Sequence, residues 1–205
     1  MARIKSIADI NDKYQVVYLD DGFLFKGKKW EIRKLNLDID MLISPELYEQ
    51  IYKEYGVRRC RYKAVDILSR SDKTEFELKR KLKDSYFAEE VIEEVIAELK
   101  RHHYVDDMRY ASNFVNYKSG TKSRFQIISL LKSKGVDNDI INNVIANEYN
   151  SKDEYIIIRK QLNKYADVDN NINREHINKI YSSLVRKGIS YSLIEDIISN
   201  EYNLI

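Results

Sequence analysis

One stretch of this chain is written more than once. Lys73-Thr74-Glu75-Phe76-Glu77-Leu78 aligns with Lys122-Ser123-Arg124-Phe125-Gln126-Ile127 when residue 73 is laid on residue 122. That offset of 49 residues is about the period of tandem helical repeats. The same register carries Leu82 onto Leu131, Val91 onto Ile140, Ile92 onto Ile141, Val95 onto Val144 and Ile96 onto Ile145. A third, looser copy runs from His176 to Ile198, where Lys187-Gly188-Ile189 matches Lys134-Gly135-Val136. Its Leu184, Leu193, Ile194, Ile197 and Ile198 keep the apolar slots, and Ala166–Asn173 lengthens one connection. No single helix of such a unit buries its apolar stripe alone, so neighbouring units should share a continuous core.

Each copy spells helix, turn, helix, turn, helix. Thr74-x-x-Glu77 and Ser123-x-x-Gln126 are capping boxes, in which a hydroxyl and a carboxylate or amide satisfy the first free N–H groups reciprocally. Val91, Ile92, Val95, Ile96 and Leu99 form one face of the next helix, opposite Glu89, Glu90, Glu93, Glu94 and Glu98. Asp106-Asp107 is placed to cap a helix beginning near Met108. The opening helices are expected to turn inward Tyr62, Val65, Ile67 and Leu68 in the first copy and Tyr110, Ala111, Phe114 and Val115 in the second. In the third, Ser151-x-x-Glu154 should cap a helix that packs Tyr155, Ile156, Ile158 and Leu162. Gly120, Gly135 and Gly188 all fall at proposed junctions.

The first residues are different. Tyr14–Leu19 and Phe23-Leu24-Phe25 are β-prone runs around Asp20-Asp21-Gly22, a hairpin signal. Trp30, Ile32 and Leu35 alternate loosely, as in a third strand or an irregular arm. Ser44-Pro45 reads as an N-cap with proline at the first helical position, and Gly56 should end that helix. The predicted fold class is therefore mainly α. It is an elongated array of three tandem three-helix repeats over residues 57–105, 106–150 and 151–205, after a β-hairpin or small sheet plus helix at 1–56.

Composition closes off several function classes. The N-terminal MARIKSIADIND lacks an apolar signal core, and no run approaches the roughly 20 apolar residues of a spanning helix, so a cytoplasmic protein away from membranes is expected. His102, His103 and His176 lack ligand spacing, and Cys60 has no second cysteine to form a metal or disulfide site with. The arginines beside Cys60 would favour a thiolate, but no histidine or carboxylate base accompanies it in sequence, and a packing role suits it better. Neither G-x-x-x-x-G-K-[ST] nor G-x-G-x-x-G occurs. The reading is no enzyme, no cofactor and no metal.

What remains is basic clustering. Arg58, Arg59, Arg61 and Lys63 form one group and Lys79, Arg80, Lys81 and Lys83 a second. Lys118, Lys122, Arg124, Lys132 and Lys134 supply a third in the second copy. Read functionally, these face phosphates or an acidic protein groove. Read plainly, they are a solvated face balanced by the Glu89–Glu98 run, with Glu77 and Lys81 at pairing distance along a helix. A formal charge of +2 does not by itself identify a polyanion binder. The 16 tyrosines divide the same way. Stacking on unpaired bases is open to those beside cations, whereas Tyr55, Tyr62, Tyr86, Tyr104 and Tyr110 sit at inward or junction positions.

These residues are specific enough to carry a resemblance. Ser71-x-x-x-Glu75-x-x-Leu78-x-x-Lys81-Leu82, Val91-Ile92-x-x-Val95-Ile96-x-x-Leu99, Tyr104-Val105-Asp106-Asp107-x-Arg109-Tyr110-Ala111 and Leu131-x-x-Lys134-Gly135-Val136 resemble the bacterial RecX regulatory family across about residues 57–200. Tyr86 and His103 stand where members of that family usually have glycine, so two turns must form without its easy positive φ. The resemblance implies a non-catalytic modulator of RecA; separately, a monomer is the expected state. It would lie in the groove of the RecA–single-stranded DNA filament and restrain recombinase, ATPase and co-protease activity. Contact with single-stranded DNA would be direct or through RecA. The thirteen cations named above are the residues expected to face the filament. Two other readings stand beside this one: a helical DNA-binding domain of a transcription regulator, and a passive helical-repeat scaffold.

Overall fold

The structure, a computed structural model, describes residues 2–20 and 22–204. It is mostly helical, with a small antiparallel sheet at the N-terminus, and divides into two compact units, Met1–Asp106 and Asp107–Ile205. In the first unit, β1 (Ile4–Asp9), β2 (Tyr14–Leu19) and β3 (Gly22–Lys28) pair in sequence order. The hairpin lies where the sequence placed it, although Asp21 of its turn falls outside the described residues. Strand β1 was hidden by its own irregularity. A bulge between Ile4 and Ser6 breaks the alternation, so Ile4 and Ile7, three apart, both turn toward the core.

Trp30 and Ile32 do not form a strand. They lie on α1 (Lys29–Lys34), which starts where the Lys28 N–H donates to the Glu31 carboxylate at 2.7 Å. Ser44 caps α2 (Pro45–Ile51) as its sequence predicts, accepting from the Leu47 N–H at 3.2 Å. Gly56 does not end this helix. The chain passes through a π-helical turn, Tyr52–Val57, directly into α3 (Arg58–Arg70). A Cβ at Gly56 would lie 3.1 Å from a Val91 methyl, so glycine here admits α5 (Glu89–Arg101) rather than stopping α2. The buried face of α3 is also corrected. Tyr62 and Val65 are 66% and 51% exposed, while Cys60 and Ala64 are fully buried with Ile67 and Leu68 at the edge. Small residues, not the bulky ones, let α3 approach its neighbours. Helix α4 (Glu75–Asp84) carries the predicted capping box, with the Glu77 N–H donating to Thr74 Oγ1 at 3.1 Å. Leu78, Leu82, Val95, Ile96 and Leu99 fill the core between α3, α4 and α5.

The second unit repeats this plan twice, in α6 (Asp107–Lys118), α7 (Arg124–Ser133) and α8 (Asn138–Glu148), then α9 (Ser151–Leu162), α10 (Arg174–Arg186) and α11 (Tyr191–Glu201). Ala111, Val115, Ile127, Leu131 and Ile141 centre one core; Ile158, Leu162, Ile180, Leu184 and Ile194 centre the other. The cap of α9 is Asn150, one residue before the expected Ser151, with its side chain accepting from the Lys152 N–H and its N–H donating to Asp153. Tyr155 and Ile156 accordingly face outward, and Ile157 and Ile158 inward. Between α9 and α10, β4 (Asn171–Ile172) pairs with β5 (Asn203–Leu204) in the lengthened connection.

The turn after the second helix of each set is left-handed. Gly135 and Gly188 take it at φ +75° and +80°, and Tyr86 takes it at +64°. His103, after α5, is at +56°. The non-glycine residues keep the conformation and accept about 1–2 kcal/mol of strain apiece.

Candidate functional site

Several predicted cations are committed to internal pairs. The Arg59 guanidinium donates to both oxygens of Glu31 at 2.6 and 3.1 Å and lies 4.5 Å from the Tyr55 ring centre. Burial pushes the Glu31 carboxyl up, but Arg59 and the Lys28 N–H outweigh it and hold the group below its ordinary range. Arg61 donates to Glu98 at 2.6 and 3.0 Å, pinning α3 to α5. Lys79 sits between Glu75 (2.8 Å) and Glu93 (2.7 Å), and Lys100 meets Glu75 at 2.6 Å. Looser, exposed contacts join Arg58 to Glu54 (3.4 Å), Lys63 to Asp66 (4.0 Å) and Lys83 to Glu89 (3.2 Å).

Others are exposed or lie over aromatic rings. Arg80 and Lys81 are exposed on α4, and no carboxylate of the described residues lies within ion-pair reach of either. Glu77 turns back to the Thr74 N–H (3.5 Å), and Lys81 forms no pair with it. In the second unit, Arg124 and Lys132 are exposed on α7, while Lys122 is half-buried just before it. Lys118 and Lys134 converge on the Phe114 ring. Lys118 lies 5.9 Å from the Phe114 ring centre and 4.6 Å from Tyr117, and Lys134 lies 6.0 and 5.5 Å from Phe114 and Tyr110.

The first unit gathers cations around two depressions. One, of about 460 Å³, is lined by Lys63, Arg70, Lys73 and Lys81 with Asp66 and Asp84. The other, of about 540 Å³, has Lys26, Lys28, Arg59 and Lys63 with Tyr14 and Tyr86. Sequence reasoning missed Lys26, Lys28, Arg70 and Lys73. The available signal was the interleaving of lysine with aromatics in Phe23–Trp30.

Chemical machinery is sparse. Cys60 is fully buried, and burial pushes its thiol up to about 12, the reverse of what its arginine neighbours in sequence imply. Among the described residues no three His, Cys, Asp or Glu side chains group to hold a metal ion, and no helix is long and apolar enough to cross a membrane. Tyr62, Tyr86 and Tyr104 are exposed rather than inward, whereas Tyr55 and Tyr110 pack at core edges.

Residues 60–99 match the family profile described as RecX, first three-helix domain. The chain is 30% identical over 186 residues to the regulatory protein RecX of Caldanaerobacter subterraneus subsp. tengcongensis, covering 90% of this chain and 91% of that one. It is 27% identical over 190 residues to the regulatory protein RecX of Clostridium botulinum (strain Eklund 17B / Type B), covering 91% and 89%. A crystal structure of a regulatory protein RecX superposes with a TM-score of 0.63 over 98% of this chain and 100% of that chain. At 22% identity that likeness speaks to the fold alone. With a relative at 30% identity along nine-tenths of both chains, this chain belongs to the RecX family of regulatory proteins.

Proposed function

We propose that this chain is a non-catalytic cytoplasmic regulator that binds the RecA filament on single-stranded DNA and restrains its recombinase, ATPase and co-protease activities. The observation that carries this reading is the family membership, joined to the distribution of cations. The 49-residue register lays Lys73 on Lys122 and Lys83 on Lys132, so equivalent positions of two successive helical sets are basic. A surface repeated at a fixed chain interval suits a partner that is itself periodic, and weak contacts made by linked modules add through effective concentration.

We divide the chain functionally into an N-terminal extension and three three-helix modules, each with its own buried cluster. The open cations Arg80, Lys81, Arg124 and Lys132 are assigned to the partner surface. Arg59 and Arg61 serve it by holding α3 in place. The test is cosedimentation with RecA preassembled on single-stranded DNA, with free duplex as control. The wild-type chain should pellet with the filament, and Arg80→Glu with Lys81→Glu should weaken this at least about fivefold at unchanged helicity. Equal pelleting by that variant would remove α4 from the surface, and no pelleting of the wild type would overturn the reading.

A further inference from the structure

A separate hollow of about 320 Å³ opens on the first unit, lined from β3, α2 and α5. The buried side chains of Leu19 and Ile92 form its floor. Phe23, Tyr48 and Phe87 form its walls, and Tyr48 is 39% exposed. Two of these walls are braced from behind. Phe23 meets Tyr18 edge to face at 5.9 Å, and Tyr48 stacks on Tyr52 at 6.3 Å. Aromatic surface that is held in place yet uncovered suits the apolar anchor of a partner.

The rim carries negative charge that the described residues do not neutralise, although the chain as a whole has a formal charge of +2. Glu89 reaches Lys83 at 3.2 Å, but both side chains are largely exposed and such a pair contributes little. Glu94, one turn along α5 from Glu90, accepts from the Tyr52 hydroxyl at 2.8 Å rather than from a cation. Lys53, which feels the charge of Glu94, is taken by Glu49 at 2.6 Å. Glu90 itself has no cationic partner among the described residues. The field is also felt at Tyr52. Burial, then the hydrogen bond to Glu94 and its charge, push that hydroxyl up to about 12, and Glu90 adds to the effect.

We propose that this hollow docks a basic segment of a partner protein, with a bulky apolar side chain seated between Phe23, Tyr48 and Phe87 and an adjacent Lys or Arg on Glu90. The walls account for the apolar contact. The cation would meet an unpaired carboxylate near the stacked Tyr48 and Tyr52 rings, and both attract it. Nucleic acids and acidic peptides are repelled by the same rim. An uncharged apolar occupant would draw water away from Glu90 and give it no partner in return. The surface uses none of Arg80, Lys81, Arg124 and Lys132, so this proposal and the filament reading stand or fall separately.

The probe is a fluorescein-labelled pentapeptide with tryptophan between paired lysines, titrated with the full chain and followed by anisotropy, with no recombinase or DNA present. Two companion peptides carry alanine for the tryptophan, or glutamates for the lysines. Wild type should bind the first peptide at least about tenfold more tightly than either companion. Tyr48→Ala and Glu90→Lys should each weaken that binding at least about fivefold. Glu195→Lys on α11 makes the same charge change in the second unit and should leave binding within about twofold of wild type. Tyr48 and Glu90 are both exposed, and Glu90→Lys decides the matter if Tyr48→Ala lowers the melting temperature. No saturable binding by wild type, or equal binding of the alanine companion, would overturn the site. So would undiminished binding by Tyr48→Ala and Glu90→Lys, or a loss in Glu195→Lys equal to that in Glu90→Lys, which would mark a diffuse attraction of charge.

Discussion

Replacing Arg59 by alanine should destabilise the first unit far more than replacing any other cation of α3. The Glu31 side chain is only 7% accessible, and without Arg59 its carboxylate keeps the Lys28 N–H as its hydrogen-bond donor among the described residues. Stranding one member of a fully buried pair costs about 3–5 kcal/mol. Arg59 itself is 36% accessible, so water reaches the vacated side and the penalty falls to about 2–3 kcal/mol. Loss of the guanidinium over Tyr55 adds about 0.5–1 kcal/mol. Urea unfolding followed by circular dichroism and by Trp30 fluorescence measures this directly, because the single tryptophan adjoins Glu31. In a Glu31→Gln background no charge is stranded, and the same Arg59→Ala change should cost about 1 kcal/mol. Additive single and double changes, or a cost below about 0.5 kcal/mol for Arg59→Ala, would refute the reasoning. Arg59 would then return to the pool of partner-facing cations.

Two further outcomes follow from the packing and the charges. Gly188→Ala would place a Cβ 2.5 Å from Phe125 Cβ on a backbone at φ +80°, so strain and overlap together should lower stability by about 2 kcal/mol or more, seen as a lower melting temperature. Acid should also unfold the first unit early. Burial raises the carboxyls of Glu31 and Glu75, but Arg59 with the Lys28 N–H, and Lys100 with Lys79, bring both below the unfolded value of about 4.5. The unfolded chain therefore takes up protons first. The contribution is complete above about pH 4.5 and is lost as pH falls through the lower folded values. Melting temperatures taken from pH 7 down to pH 3 should show this fall, shallower in Glu31→Gln.

The helical frame was legible because its signals are local. Capping boxes at Thr74 and Ser123, the apolar face of α5 and the junction glycines each act within a few residues. The errors lie where a distant neighbour decides. Gly56 reads as a helix stop until Val91 is known to pack on it, and Cys60 and Ala64 read as weak core residues until α3 is seen to need close approach. Period-two alternation could not reveal β1 across a bulge. At the candidate site, sequence found the density of charge but not its partners. Arg59 pairs with a residue 28 positions away and Arg61 with one 37 positions away, which no helical spacing anticipates. For the same reason Lys26 was overlooked, since only the fold carries a β3 lysine to the Tyr86 turn.

The most direct measurement is the rate of ATP hydrolysis by RecA on single-stranded DNA as this chain is titrated in. Hydrolysis should fall with added wild-type chain and should be spared by the Arg80→Glu, Lys81→Glu variant of the same helicity. A rate that stays flat at saturating wild-type chain would contradict the account.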